Sequence, residues 1–201
     1  MGRRAFAALL VVSLAIVLTF LTLPIVAIFT SVGPRELLAS LDDPQSIDAL
    51  LLSLKTSTAA ILLIVAFGTP AAYLLATRRF RGRSALITMI ELPLVLPPAV
   101  AGIGLLVAFG PKGLIGGGLE DAGLVFVLQT AGVVVALTFV AAPFYIRQTQ
   151  AAFSALDPAL IEAARTLGAS EARALLAVAL PAARPGVLAG LALAWGRALG
   201  E

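Results

Sequence analysis

Long apolar runs separated by short clusters of charge set the pattern of this chain. Five runs stand out: Ala5 to Phe29, Thr56 to Thr77, Ala85 to Phe109, Leu124 to Ile146, and a shorter one from Pro185 to Glu201. Each of the first four reaches the ~20 residues that a helix needs to cross the hydrocarbon of a bilayer. The pattern predicts an all-α membrane protein with about five membrane helices. The fifth run carries Arg197 and stops at Glu201, so the last helix is expected to be truncated and the transmembrane domain incomplete at its C-terminal end.

One polar stretch interrupts this order. From Asp157 to Pro181 the chain reads D-P-A-L-I-E-A-A-R-T-L-G-A-S-E-A-R-A-L-L-A-V-A-L-P. Asp157 can cap free backbone N–H groups, and Pro158 is tolerated at the first helical position. Ala159 to Leu167 are good helix formers, and Gly168 stands where a helix ends in a residue of positive φ. Ser170 can cap a second helix running to about Leu180, which Pro181 stops. The spacing predicts two short helices. Ala159, Ala163 and Ala164 offer a small-residue face flanked by Glu162 and Arg165, a shape suited to a partner's groove. An amphipathic helix on the lipid surface is the alternative, but alanine-rich faces bind lipid poorly compared with Leu, Phe and Trp.

Composition and charge sharpen the picture. The 201 residues are 60% hydrophobic and 12% charged, where a soluble domain carries roughly a quarter charged residues. The net charge of +3 would hint at nucleic acid if the charges were spread. Instead they cluster at the ends of the apolar runs. Arg3, Arg4, Arg78, Arg79, Arg81, Arg83, Arg147, Arg165, Arg173 and Arg184 fall on one side. Only Arg35, Lys55 and Lys112 fall on the other, with Glu36, Asp42, Asp43, Asp48, Glu120 and Asp121. The first set belongs in the cytoplasm by the positive-inside rule. The expectation is a multi-pass membrane protein with a cytoplasmic N-terminus and a cytoplasmic Asp157–Pro181 hairpin. The first run is too long for a signal peptide and lacks a clean A-x-A site.

The sequence has no Cys and no His, which removes thiol nucleophiles, imidazole bases and the usual zinc sites. Gly113, Gly116, Gly117 and Gly118 cluster without a following Lys-Ser/Thr, so they read as a loop and not as a phosphate cradle. No catalytic residue, metal site or cofactor is expected, and no nucleotide site of the protein's own.

Three features inside the spans carry candidate chemistry. Pro93, Pro97 and Pro98 lie in one run and remove backbone donors, which membrane helices tolerate where neighbours or water satisfy the freed carbonyls. They are candidates for a pore or gate. Arg197 is a candidate for attracting an anion, whereas Glu91 would repel one and is expected to snorkel to the interface or to pair with an arginine. Gly186, Gly190 and Ala194 form one small-residue stripe, and Gly196 and Gly200 a second. Such stripes allow close helix packing, with packing inside one subunit the plainer reading.

Glu162-Ala163-Ala164, then Gly168, Val178 and Leu180-Pro181, resemble the EAA loop of bacterial ABC importer permeases, with Val178 where the pattern has Ile. In that family the loop is the coupling helix that docks on the ATP-binding subunit. The resemblance implies that role for Glu162, Ala163, Ala164, Gly168, Leu180 and Pro181. The run Leu92-Pro93-Leu94-Val95-Leu96-Pro97-Pro98-Ala99-Val100-Ala101-Gly102 is similar to permeases for molybdate, tungstate and sulfate, and leans toward molybdate. The Gly110-Pro111-Lys112-Gly113 turn is shared with sulfate permeases too. The resemblance spans roughly Ser53 to Glu201. It implies one type I ABC importer transmembrane domain over residues 1–201, with the EAA coupling loop at 157–181. It also implies an ABC ATPase, an extracytoplasmic oxyanion-binding protein, a permease homodimer in the bilayer of the bacterial plasma membrane, and no nucleic acid. An ion-driven secondary transporter would need intramembrane acids or a repeat pair, and only Glu91 is available.

Overall fold

Every regular element among the described residues of the computed structural model is helical. Those residues are 2–31, 33, 42–123 and 125–201. Arg35 and Glu36, assigned above to the outer side, and Leu124, the expected start of the fourth run, lie outside them. The chain divides into two compact units, Met1–Leu51 and Leu52–Glu201.

The first unit holds α1 (Arg3–Ser31) and the opening turns of α2 (Pro44–Thr77). α1 matches the first apolar run within two residues at each end. No residue of it is buried, and it is apolar all round, as suits a helix whose surroundings are acyl chains. α2 starts twelve residues before the expected Thr56. The reason is local: the Asp43 carboxylate accepts from the Ser46 backbone N–H at 3.2 Å and from its hydroxyl at 2.9 Å. Pro44 follows at the first position, the same Asp-Pro start that opens the polar hairpin.

In the second unit, α2 continues and is joined by α3 (Arg83–Val95), α4 (Pro98–Phe109), α5 (Gly116–Asp121) and α6 (Thr130–Ser154). The hairpin follows as α7 (Pro158–Thr166) and α8 (Glu171–Ala182), and α9 (Arg184–Leu199) closes the order. α1, α2 and α6 are long and apolar enough to cross a membrane as single helices. The expected third span is not one of them. α3 and α4 meet at 117°, and at ~20 Å and ~18 Å neither crosses the hydrocarbon alone. Leu96, held extended ahead of Pro97 (φ −71°, ψ 130°), and Pro97 itself (φ −56°, ψ 141°) form the break. A residue before proline is pushed out of the helical region, and two successive prolines remove two donors. Pro93, by contrast, stays inside α3.

α6 begins later than the apolar run that predicted it, because Gly123 (φ 81°) and Leu128 (φ 57°) turn the backbone ahead of Thr130. The glycine cluster is loop in part only: Gly116, Gly117 and Gly118 open α5. Gly116 is buried so close to the Gly110 carbonyl that a Cβ there would collide with it.

The core of this unit lies between α2, α6 and α9. Ala60, Ile61 and Ile64 meet Leu137, Ala141 and Tyr145, with Ala194 and Ala198 completing the cluster. Within it the Thr69 and Tyr145 hydroxyls share a buried hydrogen bond of 2.7 Å. Gly68 lets the Tyr145 ring lie alongside, where an added Cβ would sit 3.0 Å from the ring. α9 lies along α6. A Cβ at Gly186 would strike Ala152, and one at Gly190 would sit 3.1 Å from the Gln148 Cβ and 3.2 Å from the Tyr145 carbonyl. The first small-residue stripe therefore packs inside the subunit. Gly196, in the second stripe, faces open space.

Overpacking a tight helix contact costs about 1–3 kcal/mol. Gly190→Val is accordingly expected to lower the thermal midpoint of the detergent-purified protein by several degrees, while Gly196→Ala leaves it unchanged. Equal midpoints for the two variants would contradict the packing described.

Candidate functional site

The polar hairpin folds as its capping residues require. Asp157 Oδ1 accepts from the Ala159 N–H at 2.9 Å, and Pro158 takes the first helical position. α7 ends in Gly168 at φ 81°. There the Gly168 N–H donates to the Arg165 carbonyl (2.9 Å) and the Ala169 N–H to the Ala164 carbonyl (3.0 Å). This pair of bonds is a Schellman closure, which needs a left-handed residue at Gly168. Ser170 Oγ then accepts from the Arg173 N–H at 3.3 Å and starts α8.

α8 is not regular. Residues Ala174–Ala179 adopt a π-helical turn, with the Leu180 N–H reaching back to the Leu175 carbonyl. Pro181 explains it: proline has no N–H to give and its ring crowds the carbonyl four residues back, so the preceding turn widens.

Burial divides the expected docking residues. Ile161 and Ala164 turn inward onto a cluster with Ala72, Tyr73, Phe153, Ala174, Ala179 and Ala183, where Tyr73 and Phe153 meet edge to face at 5.5 Å. Leu180 is half-buried against the same cluster. Ala164, assigned above to the outer face, therefore belongs to the core. Ala159, Glu162, Ala163 and Pro181 remain exposed. So do Leu160 (47%) and Leu167 (88%), which sequence reasoning passed over. Their signal was present: Leu160, Ala163 and Leu167 stand at i, i+3 and i+7, one face of a helix.

Glu171 is a second residue that sequence reasoning missed. Its Oε1 accepts from Arg78 at 2.9 Å and its Oε2 from Arg165 at 3.0 Å. One carboxylate thus ties the segment just past α2 to the end of α7. Donating this hydrogen bond to Glu171 holds the Arg165 guanidinium above its ordinary value. These side chains are well exposed, and exposed pairs contribute only about 0.2–1 kcal/mol. Their effect is to orient the hairpin more than to stabilise it. In sequence Glu171 reads only as a helix-start acid; its partners lie 93 and 6 residues away.

The candidates for the pore lie on other elements. Pro97 and Pro98 form the α3–α4 break and are exposed, Pro93 is half-buried within α3, and Arg197 is half-buried on α9 and pairs with Glu201. Glu91 pairs with Arg147 at 2.8 Å, the second of the two expectations for it, and links α3 to α6.

Known proteins share this sequence pattern. The profile of the family described as "binding-protein-dependent transport system inner membrane component" matches residues 68–201. The protein is 37% identical to the molybdate/tungstate transport system permease protein of Pyrococcus abyssi, over 100% of its own length and 77% of that relative. It is 43% identical to the molybdenum transport system permease protein of Mycobacterium tuberculosis, over 92% and 70%. Among solved structures, an amino acid ABC transporter with histidines aligns at 24% identity and a TM-score of 0.46, over 72% of this protein and 63% of that one.

A β-branched residue in the left-handed region costs roughly 1–2 kcal/mol, and an added Cβ at Gly168 meets no neighbour within 4 Å. Gly168→Val is therefore expected to act through the backbone alone. Limited proteolysis should cut faster near residues 166–170, while Gly168→Asn, which tolerates positive φ, should stay near the wild-type rate. Equal cleavage of both variants would count against the closure.

Proposed function

The chain belongs to the family of inner membrane components of binding-protein-dependent transport systems, and from that premise we propose that it carries a tetrahedral oxyanion, molybdate first, into the cell. As a family member it is a multi-pass inner-membrane permease subunit of an ABC importer. It works with a separate ATPase and with a binding protein. It carries out no covalent chemistry itself.

The observation that carries the proposal is the exposed face of α7. Leu160, Ala163 and Leu167 form an apolar stripe on a helix capped at both ends. Glu162 and Arg165 flank it. A monomeric soluble surface has little reason to expose Leu167 almost fully, whereas a helix-in-groove contact needs anchors at this spacing. In the proposed mechanism the stripe docks on the ATPase. The N-terminus and the hairpin lie in the cytoplasm, in keeping with the distribution of arginines. Two copies of the permease pair about a two-fold axis, each on one ATPase subunit. Closure of the ATPase pair on ATP draws the two hairpins together. Each hairpin moves as a rigid body, because Ile161, Ala164 and Leu180 lock it to α2 and α6. The Pro97–Pro98 break and Arg197 are the proposed pore elements.

Molybdate as cargo rests on the names of the relatives above and on the proline-rich run that resembles molybdate permeases. Tungstate shares its charge and shape, and sulfate differs mainly in size.

Two measurements test this reading. Ala163→Arg places a bulky charge in the stripe without touching the core. It is expected to insert and fold normally but to lose co-purification with the ATPase, and transport should fall by about tenfold or more if the contact is a central one. Co-purification of that variant at the wild-type level would overturn the docking assignment. For the cargo, uptake of labelled molybdate should be competed by unlabelled molybdate and tungstate well below the concentration at which sulfate competes. Sulfate as the strongest competitor would reassign it.

A further inference from the structure

Beneath the hairpin lies a pocket of ≈ 470 Å³, within the ~300–1,000 Å³ usual for small-molecule sites. Ile161, Glu162 and Arg165 border it and also serve the transport reading, but the space itself has no role there. Its walls combine two kinds of residue. Arg78, Arg79, Arg83 and Arg165 supply four guanidinium groups, with Glu162 the one carboxylate among the lining residues. Phe153, Leu156, Ile161 and Ala76 supply an apolar side. Glu171 is engaged by Arg78 and Arg165, and Arg83 spends its Nε on the Leu75 carbonyl at 2.7 Å. Arg79 has no ion pair or hydrogen bond among the described residues. Four cations against two carboxylates leave two positive charges uncompensated.

Position adds the second constraint. No charge occurs from Thr56 to Thr77, and Arg78 follows at once. A helix of that length spans ~33 Å, so the pocket sits where hydrocarbon gives way to headgroups. An apolar wall beside a cluster of guanidinium forks suits a group with an acidic head and an apolar body. Guanidinium matches phosphate oxygens in bidentate fashion, which a diffuse basic surface does not.

We propose that this pocket binds a phosphate group, and that its source is the headgroup of an acidic phospholipid in the adjoining leaflet. Bound there, the phosphodiester bridges the arginine loop after α2 to Arg165 at the end of α7, and so braces the hairpin against the membrane. The proposal is independent of the cargo, since binding is read without transport.

The test uses the purified permease–ATPase complex in two arms. In the first, the complex is exchanged into a mixture of phosphatidylglycerol and phosphatidylcholine, and retained lipid is counted by native mass spectrometry. Wild type should retain phosphatidylglycerol in preference. Arg79→Gln, which removes no contact seen in the structure, should reduce that retention by about fivefold. Arg81→Gln, in the same loop but outside the pocket, should not. In the second arm, inorganic phosphate is added to lipid-free complex and thermal stability is followed. Stabilisation that depends on Arg79, without selective lipid retention, would keep the phosphate site but overturn the lipid headgroup as its source, assigning it to the free anion. If Arg79→Gln and Arg81→Gln behave alike in both arms, the pocket has no ligand of this kind and the arginines serve topology alone.

Discussion

The contact between α9 and α6 sets the positions of most other parts, because it fixes where the hairpin leaves the membrane helices and where it returns. Helices in lipid gain nothing from hiding apolar surface from lipid, so their association rests on close packing. Gly186 and Gly190 allow that approach: Ala152, Gln148 and the Tyr145 carbonyl occupy the space that larger side chains would need. The same stretch of α6 carries Tyr145 toward Thr69 and Gly68 on α2. One face of α6 therefore organises both neighbours, and the second cluster, from Ala72 and Tyr73 to Ala183, continues that packing into the hairpin.

A hairpin held this way transmits displacement. α7 is locked by Ile161 and Ala164, closed by the Gly168 turn, and tied through Glu171 to Arg78. α8 then passes directly into α9 at a bend of 83°. Pressure on the exposed stripe has few soft joints to absorb it. The π-turn at Ala174–Ala179 is the one irregular stretch in α8. It lies between α7 and α9, which is where a small change of pitch would alter the angle between them.

How far the sequence could be read follows from the range of each interaction. Asp157, Pro158, Gly168 and Ser170 act on their immediate neighbours, and each took the place that capping chemistry assigns it. The same chemistry at Asp43-Pro44 was legible, yet hydropathy drew the start of α2 at Thr56, because a window of apolar residues is blind to a polar first turn. Pro97 and Pro98 announced a disturbance, but not its 117°, since the angle depends on what the two arms pack against. Ala164 was misplaced for a related reason. Alanine suits an exposed contact face and a tight core equally, and only the partners from α2, α6 and α8 decide between them. Glu171 was unreadable outright, because its first partner is 93 residues away.

The membrane charges bear on how an anion could pass. Glu91 is neutralised by Arg147, and Arg197 pairs with Glu201. The two charges that stood out in the apolar runs are therefore both compensated. A bare arginine in a span would hold a dianion tightly, and conduction needs a site weak enough to release what it admits. In the proposed path, paired charges and the backbone groups freed at Pro97 and Pro98 give moderate polarity with no deep well. Under the proposed oxyanion cargo, selection falls to a component that binds tightly and releases on command, the part an external binding protein plays in this family. The division of labour follows from electrostatics: the subunit that must let the anion go is not the one that recognises it most strongly.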